Sequence, residues 1–174
     1  MKVDFTPPLE ALHASRCLRV LAWWVMGSAL ATGCRGSKPS FQDEERSASE
    51  LRAMLVDGDP EVQARGALGL SRLGANARDA VPDLITLLKS PATLARQNAA
   101  LALGAIGPEA SPAVPALTEA LKDPEWAVRR QAALALGMIG ASAKPALPAL
   151  KLLDRDPQKP VREAAKRARE RIGE

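Results

Sequence analysis

Apolar residues from about Glu50 onward fall at helical spacing, and the spacing itself repeats. From Trp126 to Gly140 the chain reads W-A-V-R-R-Q-A-A-L-A-L-G-M-I-G, in which Val128, Ala132, Ala135 or Leu136 and Ile139 form one apolar face. A step back of 33 residues puts Ala95 under Val128, Ala100 under Ala133, Leu103 under Leu136 and Gly107 under Gly140. A second step back reaches Val62, Ala67, Leu70 and Gly74, and a step forward reaches Val161, Arg162, Ala165, Ile172 and Gly173. A period of this size held over four copies is the mark of a stacked array, in which no unit can bury its apolar face alone.

Between these segments lies a second helical pattern. Val81, Leu84 and Leu87 with Leu88 recur as Val114, Leu117 and Leu121, then as Leu147, Leu150 and Leu153, each set beginning near prolines such as Pro82, Pro115 and Pro148. Glu50 to Val56 aligns with this second set, so the array is expected to open on a second helix without its first. It would close on a lone first helix from about Val161 to Arg171, eight helices in all. Asp59-Pro60, Ser90-Pro91, Asp123-Pro124 and Asp156-Pro157 read as start signals, and Gly74, Gly107 and Gly140 as stops. The expected fold is an all-α solenoid of stacked antiparallel helix pairs over residues 48–174.

Composition sharpens the picture. Aromatic residues make up 3% of the chain and tyrosine is missing, while alanine and leucine dominate the 47% hydrophobic fraction. That suits close helix packing and poorly suits a sheet sandwich. Net charge is +4 with both signs mixed, which gives no case for nucleic acid. Cys17 and Cys34 both precede the repeats, so neither a disulfide nor a zinc framework is expected to hold the array.

The first 33 residues read as a targeting segment. Val20 to Ala31 is an uncharged apolar run behind Arg16 and Arg19, short of the ~20 residues a spanning helix needs. Ala31-Thr32-Gly33-Cys34 follows and resembles the lipobox of bacterial lipoprotein signal peptides. The resemblance implies cleavage before Cys34, acylation of that cysteine and membrane anchoring. The other readings are a non-lipidated export signal and an uncleaved anchor. A start nearer Leu18 would account for the long charged region before the run. Residues 34–47, rich in Ser, Lys, Pro, Glu and Asp, read as a polar tether. Arg35, standing where an aspartate would signal inner-membrane retention, points to the outer membrane, with the domain facing the periplasm. A chain starting at Cys34 would hold no histidine and no free thiol, and no phosphate loop or metal-ligand cluster is visible. The sequence therefore assigns no catalytic residue, metal or cofactor.

The segment D-P-E-W-A-V-R-R-Q-A-A-L-A-L-G-M-I-G, followed by A-L-P-A-L, resembles the short HEAT-like repeat, the type also named after phycobilisome lyases. The resemblance covers about Ser49 to Gly173. It implies a right-handed superhelix, second helices lining the concave side, and protein binding or scaffolding as the function. Bilin attachment belongs to some members only. It also implies that Arg96, Arg129 and Arg162, one period apart, reach the aspartate or carbonyls of an adjacent loop and bridge repeats. The other reading of that row is an anion-binding ladder.

Residues on the second helices opposite the leucine face form a column. Lys89, Lys122 and Arg155 share one register, Ile85, Thr118 and Lys151 another, and Thr86, Glu119 and Leu152 a third, each set roughly 10 Å from the next if the helices pack as neighbours. We read Lys89, Thr118, Glu119, Lys122, Lys151 and Arg155 as a basic partner surface, against the alternative of a solvated face. Trp126 reads either as an interface anchor or as a ring packed over a loop. In the last helix Arg167 and Arg169, with Lys166 and Arg171, are expected to charge the outward face as a cap. The functional expectation is a monomeric, lipid-anchored envelope module that binds another protein. The alternatives are a bilin-lyase-like accessory and a structural spacer.

Overall fold

The computed structural model describes residues 46–173; the targeting segment, Cys34 and the tether as far as residue 45 lie outside the described residues. Eight α-helices and no strands occur among them. Helix α1 is Ala48–Leu55, and the long helices are α2 (Pro60–Leu73), α4 (Thr93–Ile106), α6 (Trp126–Ile139) and α8 (Lys159–Ile172). The short ones are α3 (Val81–Leu87), α5 (Val114–Ala120) and α7 (Leu147–Leu152).

Each long helix holds 14 residues and begins 33 after the last. Each of the first three ends on a glycine with positive φ: 55° at Gly74, 77° at Gly107 and 75° at Gly140. With ψ near −135° these residues sit in a region that side chains with a Cβ avoid, which explains why the stop is glycine every time. The chain then winds through a seven-residue 3-10 segment before each short helix, a connection the apolar pattern does not reveal. Pro82, Pro115 and Pro148 stand in the first turn of the short helices, where no intrahelical N–H bond is lost.

The long helices pack side by side through small residues. A Cβ added to Gly104 would lie 3.0 Å from the Ala135 Cα, and one added to Gly137 would lie 2.8 Å from the Ala168 Cα. The backbones are therefore in near contact, and the alanines between them are fully buried. Leu84, Leu117 and Leu150 close the core from the short helices, each 0% exposed.

Two expectations change at the ends. Helix α1 does more than stand in for a missing second helix. Its Leu51 Cδ2 fills the space where a Cβ on Gly69 would project, at 2.5 Å. Ala135 and Ala168, two and three periods after Gly69, face the preceding long helix instead, so α1 also covers the exposed side of the long-helix layer. A capping box between Ser47 and Glu50 fixes its start. At the other end Arg169 does not join the charged outer face: its Nη2 donates to Asp154 Oδ1 at 3.0 Å and its side chain is largely buried. Lys159, Glu163, Lys166, Arg167, Glu170 and Arg171 are the exposed charges of α8.

Candidate functional site

The turns leading into the long helices form a ladder along one edge of the stack. Asp57, Ser90, Asp123 and Asp156 hold the same place in successive turns, three residues before the helix. In each, the side-chain oxygen accepts the N–H two residues on, at 2.8, 3.3, 2.9 and 2.9 Å. This corrects the expected start signal. Only Asp59-Pro60 works as cap and first helical residue; Ser90-Pro91, Asp123-Pro124 and Asp156-Pro157 belong to the turn, aligned with Asp57-Gly58. Their helices begin after Ala92, Glu125 and Gln158, none of which caps through its side chain.

Each turn is closed by a side chain from the first turn of the helix that follows. Arg96 Nη1 donates to the carbonyls of Ser90 and Pro91 at 3.0 and 3.1 Å, and Arg129 Nη1 to those of Asp123 and Pro124 at 2.8 and 2.9 Å. The other edge of each guanidinium crosses to the next repeat. Arg96 grips Asp123 with Nε at 2.7 Å and Nη2 at 3.0 Å, and Arg129 grips Asp156 at 2.8 and 3.1 Å. Paired, planar contacts of this kind are the strongest charge-assisted hydrogen bonds a side chain offers. Arg162 closes its own turn on the carbonyls of Asp156 and Pro157 at 2.7 and 3.1 Å and has no aspartate beyond it among the described residues.

The electrostatics follow from this geometry. Burial works against the ionised form of Asp123, but the Arg96 hydrogen bonds, the Glu125 N–H and the charge of Arg129 outweigh it, so its carboxyl titrates below the ordinary value. Asp156 is lowered in the same way, against burial, by Arg129, the Gln158 N–H and the charge of Arg162. Arg96 is raised, chiefly by its bonds to Asp123.

The first junction is built differently. Gln63 stands where the arginines stand later, and its Nε2 donates to the Asp57 carbonyl at 2.8 Å without reaching the next repeat. Ser90 stands where the aspartates stand. The junction is tied instead through the helix layer, where buried Asn98 donates to the Ala64 carbonyl at 2.9 Å, and at α1, where Arg52 Nε meets Asp83 Oδ2 at 2.8 Å.

Two grooves open on this framework. The first, about 530 Å³, lies at the first junction among Leu55, Gly58, Gln63, Asp83, Lys89 and Ser90. The second, about 460 Å³, lies between α5 and the following 3-10 segment and gathers Thr118 and Glu119 with Val114, Ser142 and Pro145. The structure thus divides the column foreseen on the second helices. Lys89 belongs to the first groove, and Thr118 and Glu119 to the second. The Thr118 hydroxyl donates to the Val114 carbonyl at 2.8 Å, and Glu119 meets Lys122 at 3.5 Å on the surface. Lys151 and Arg155 are exposed on later segments and line neither groove. Trp126, the first residue of α6, is 43% exposed and lines neither. No group of three or more His, Cys, Asp or Glu suited to a metal occurs among the described residues.

Comparison with known proteins agrees with this architecture. HEAT repeats match residues 48–114 and 109–169. No curated protein sequence matches the chain. Among solved structures, a designed armadillo repeat protein in complex with the peptide (KR)4 shares the fold at 20% identity, with a TM-score of 0.64 over 72% of this chain and 64% of that one. The complex of CpcE and CpcF of phycocyanin lyase from Nostoc sp. is 26% identical, with a TM-score of 0.63 over 83% of this chain and 58% of that one. Human deoxyhypusine hydroxylase in complex with glycerol is 34% identical, with a TM-score of 0.57 over 74% of this chain and 44% of that one. This chain spans less than two thirds of each of these three. With matches that cover most of residues 48–169, an unbroken 33-residue register and a ladder of arginine-closed turns, the chain belongs to the HEAT-repeat family.

Proposed function

We propose that this chain is a non-enzymatic protein-binding module, anchored through an acylated Cys34 in the bacterial cell envelope, with the outer membrane preferred and the domain facing the periplasm. The observation that carries the binding reading is a division of labour in the repeat. The stop glycines Gly74, Gly107 and Gly140 and the core leucines Leu84, Leu117 and Leu150 recur unchanged at the 33-residue period, whereas two registers of the second helices change chemistry in every copy: Ile85, Thr118 and Lys151, and Thr86, Glu119 and Leu152. Thr118, Glu119 and Lys151 belong to these variable registers, Lys89, Lys122 and Arg155 form a basic register beside them, and specificity resides on this column. The lipid anchor rests on the apolar run and Ala31-Thr32-Gly33-Cys34; two or more acyl chains hold a protein stably where one is marginal.

The test compares the anchored protein with its Lys89→Glu/Lys122→Glu/Arg155→Glu variant by quantitative co-purification from solubilised membranes. One partner retained by the parent and lost from the variant is expected; equal recovery from both removes the column from the interface. Acyl labelling that survives Cys34→Ala would sink the lipidation reading. The match to a phycocyanin lyase complex favours one second reading, an accessory to tetrapyrrole attachment. Visible absorbance co-purifying with the chain would support it.

A further inference from the structure

The ladder lacks one rung, and both of its members are missing together. At the later junctions Arg96 faces Asp123 and Arg129 faces Asp156; at the first, Gln63 faces Ser90. The turn itself keeps its shape, since Asp57 Oδ1 accepts the Asp59 N–H as its counterparts do. What is lost is the guanidinium that would lie across it, and the groove of about 530 Å³ opens at that place.

Among the described residues, three acceptors of the groove carry no side-chain donor. Gln63 uses its Nε2 on the Asp57 carbonyl, and its Oε1 accepts no hydrogen bond. Asp83 meets Arg52 through Oδ2 alone, which leaves Oδ1 without a hydrogen bond. The Gly58 carbonyl, equivalent to those of Pro91 and Pro124 that receive Arg96 and Arg129, has no side-chain donor. Asp83 and Lys89 are the charged residues that line the groove, and Asp57 and Asp59 flank Gly58 along the chain. Leu55 and Leu87 supply an apolar wall for an aliphatic stem.

We propose that this groove binds an arginine side chain of a partner protein. The incoming guanidinium donates toward the Gly58 carbonyl, Gln63 Oε1 and the free edge of the Asp83 carboxylate, beside the Gln63 amide that already holds the Asp57 carbonyl, so that the two together cover the turn as Arg96 and Arg129 do in the later turns. The molecule thereby supplies its own template for the ligand, a planar cation lying across a turn with its stem on leucine. The proposal rests on the protein-binding reading but is centred on the edge of the turns, a surface that shares Thr86 and Lys89 with the column.

The probe is the capped peptide Ac-Ala-Leu-Arg-Leu-Ala-amide, titrated into the full chain by calorimetry beside a twin carrying citrulline, which keeps the shape and loses the charge. Saturable binding is expected for the arginine peptide, with the citrulline twin at least about tenfold weaker, as expected when one charge-assisted contact is lost. In Gln63→Arg/Ser90→Asp the chain fills the groove with its own rung, so binding should vanish while the melting temperature rises. Asp83→Asn should weaken binding about tenfold, and it carries the test if the double variant melts lower than the parent. Lys122→Glu/Arg155→Glu, which alters the column alone, should leave peptide binding unchanged, so loss of the column reading and loss of this one are told apart. Equal affinity for the two peptides, undiminished binding by the filled variant, or no saturable binding would each overturn the assignment.

Discussion

The later junctions and the first solve one packing problem by opposite means. Between α4 and α6, and between α6 and α8, the helix layer is small side chains against small side chains, and the polar tie sits at the turn edge in Arg96–Asp123 and Arg129–Asp156. Between α2 and α4 the edge is open and the tie is inside, from Asn98 to the Ala64 carbonyl. A repeat interface can therefore be secured at its rim or in its middle. Securing it in the middle leaves the rim available for a ligand.

The sharpest way to break this contrast is to cut one rim tie. Arg129→Ala would leave Asp156, whose side chain is 4% exposed, without the guanidinium bonded to its carboxylate. We expect a loss of about 3 kcal/mol and a melting temperature lower by about 10 °C, read by circular dichroism. Gln63→Ala should cost under about 1 kcal/mol, because it gives up one exposed hydrogen bond. Equal losses at the two positions would show that the rim ties do not distinguish the junctions. Asn98→Ala addresses the middle. It should destabilise by about 1.5 kcal/mol, whereas Gln131→Ala, one period later, should be near neutral.

Making the first junction resemble the others is a gentler change. Gln63→Arg/Ser90→Asp should stabilise by about 1 kcal/mol, visible as a higher urea midpoint at unchanged slope. The smallest expected effect is in pH. The carboxyls of Asp123 and Asp156 are lowered in the folded chain, so their contribution is complete above the ordinary carboxylate pKa of about 3.9 and is lost as pH falls through their lowered values. The penalty of Arg129→Ala should consequently shrink below about pH 4, and a penalty constant from pH 7 to pH 3 would contradict the ion-pair account.

Much of the fold is legible in the sequence because stacking is periodic. The 33-residue step, the glycine stops and the leucine faces all follow from it, as do the eight helices. The turn chemistry was harder to read. Asp59-Pro60 looks like Asp123-Pro124, but the 33-residue period aligns Asp123 with Asp57, two residues earlier. The aspartate partners of the arginines lie 27 residues away in the next repeat, a spacing that no local motif encodes. The first groove was invisible for a further reason. It is defined by two departures, Gln63 and Ser90, that mean nothing singly and matter only because the fold sets them face to face.

One residue of α8 has a consequence for the ancestry and engineering of this chain. Glu170 stands one period after Gly137 and two after Gly104, the glycines at which one long helix admits the next. A unit duplicated before α8 would present glycine to its successor and be accepted, but a unit appended to α8 would have to bury a carboxylate. The array can be lengthened by copying its interior, and such copies would leave both of its outer faces as they are.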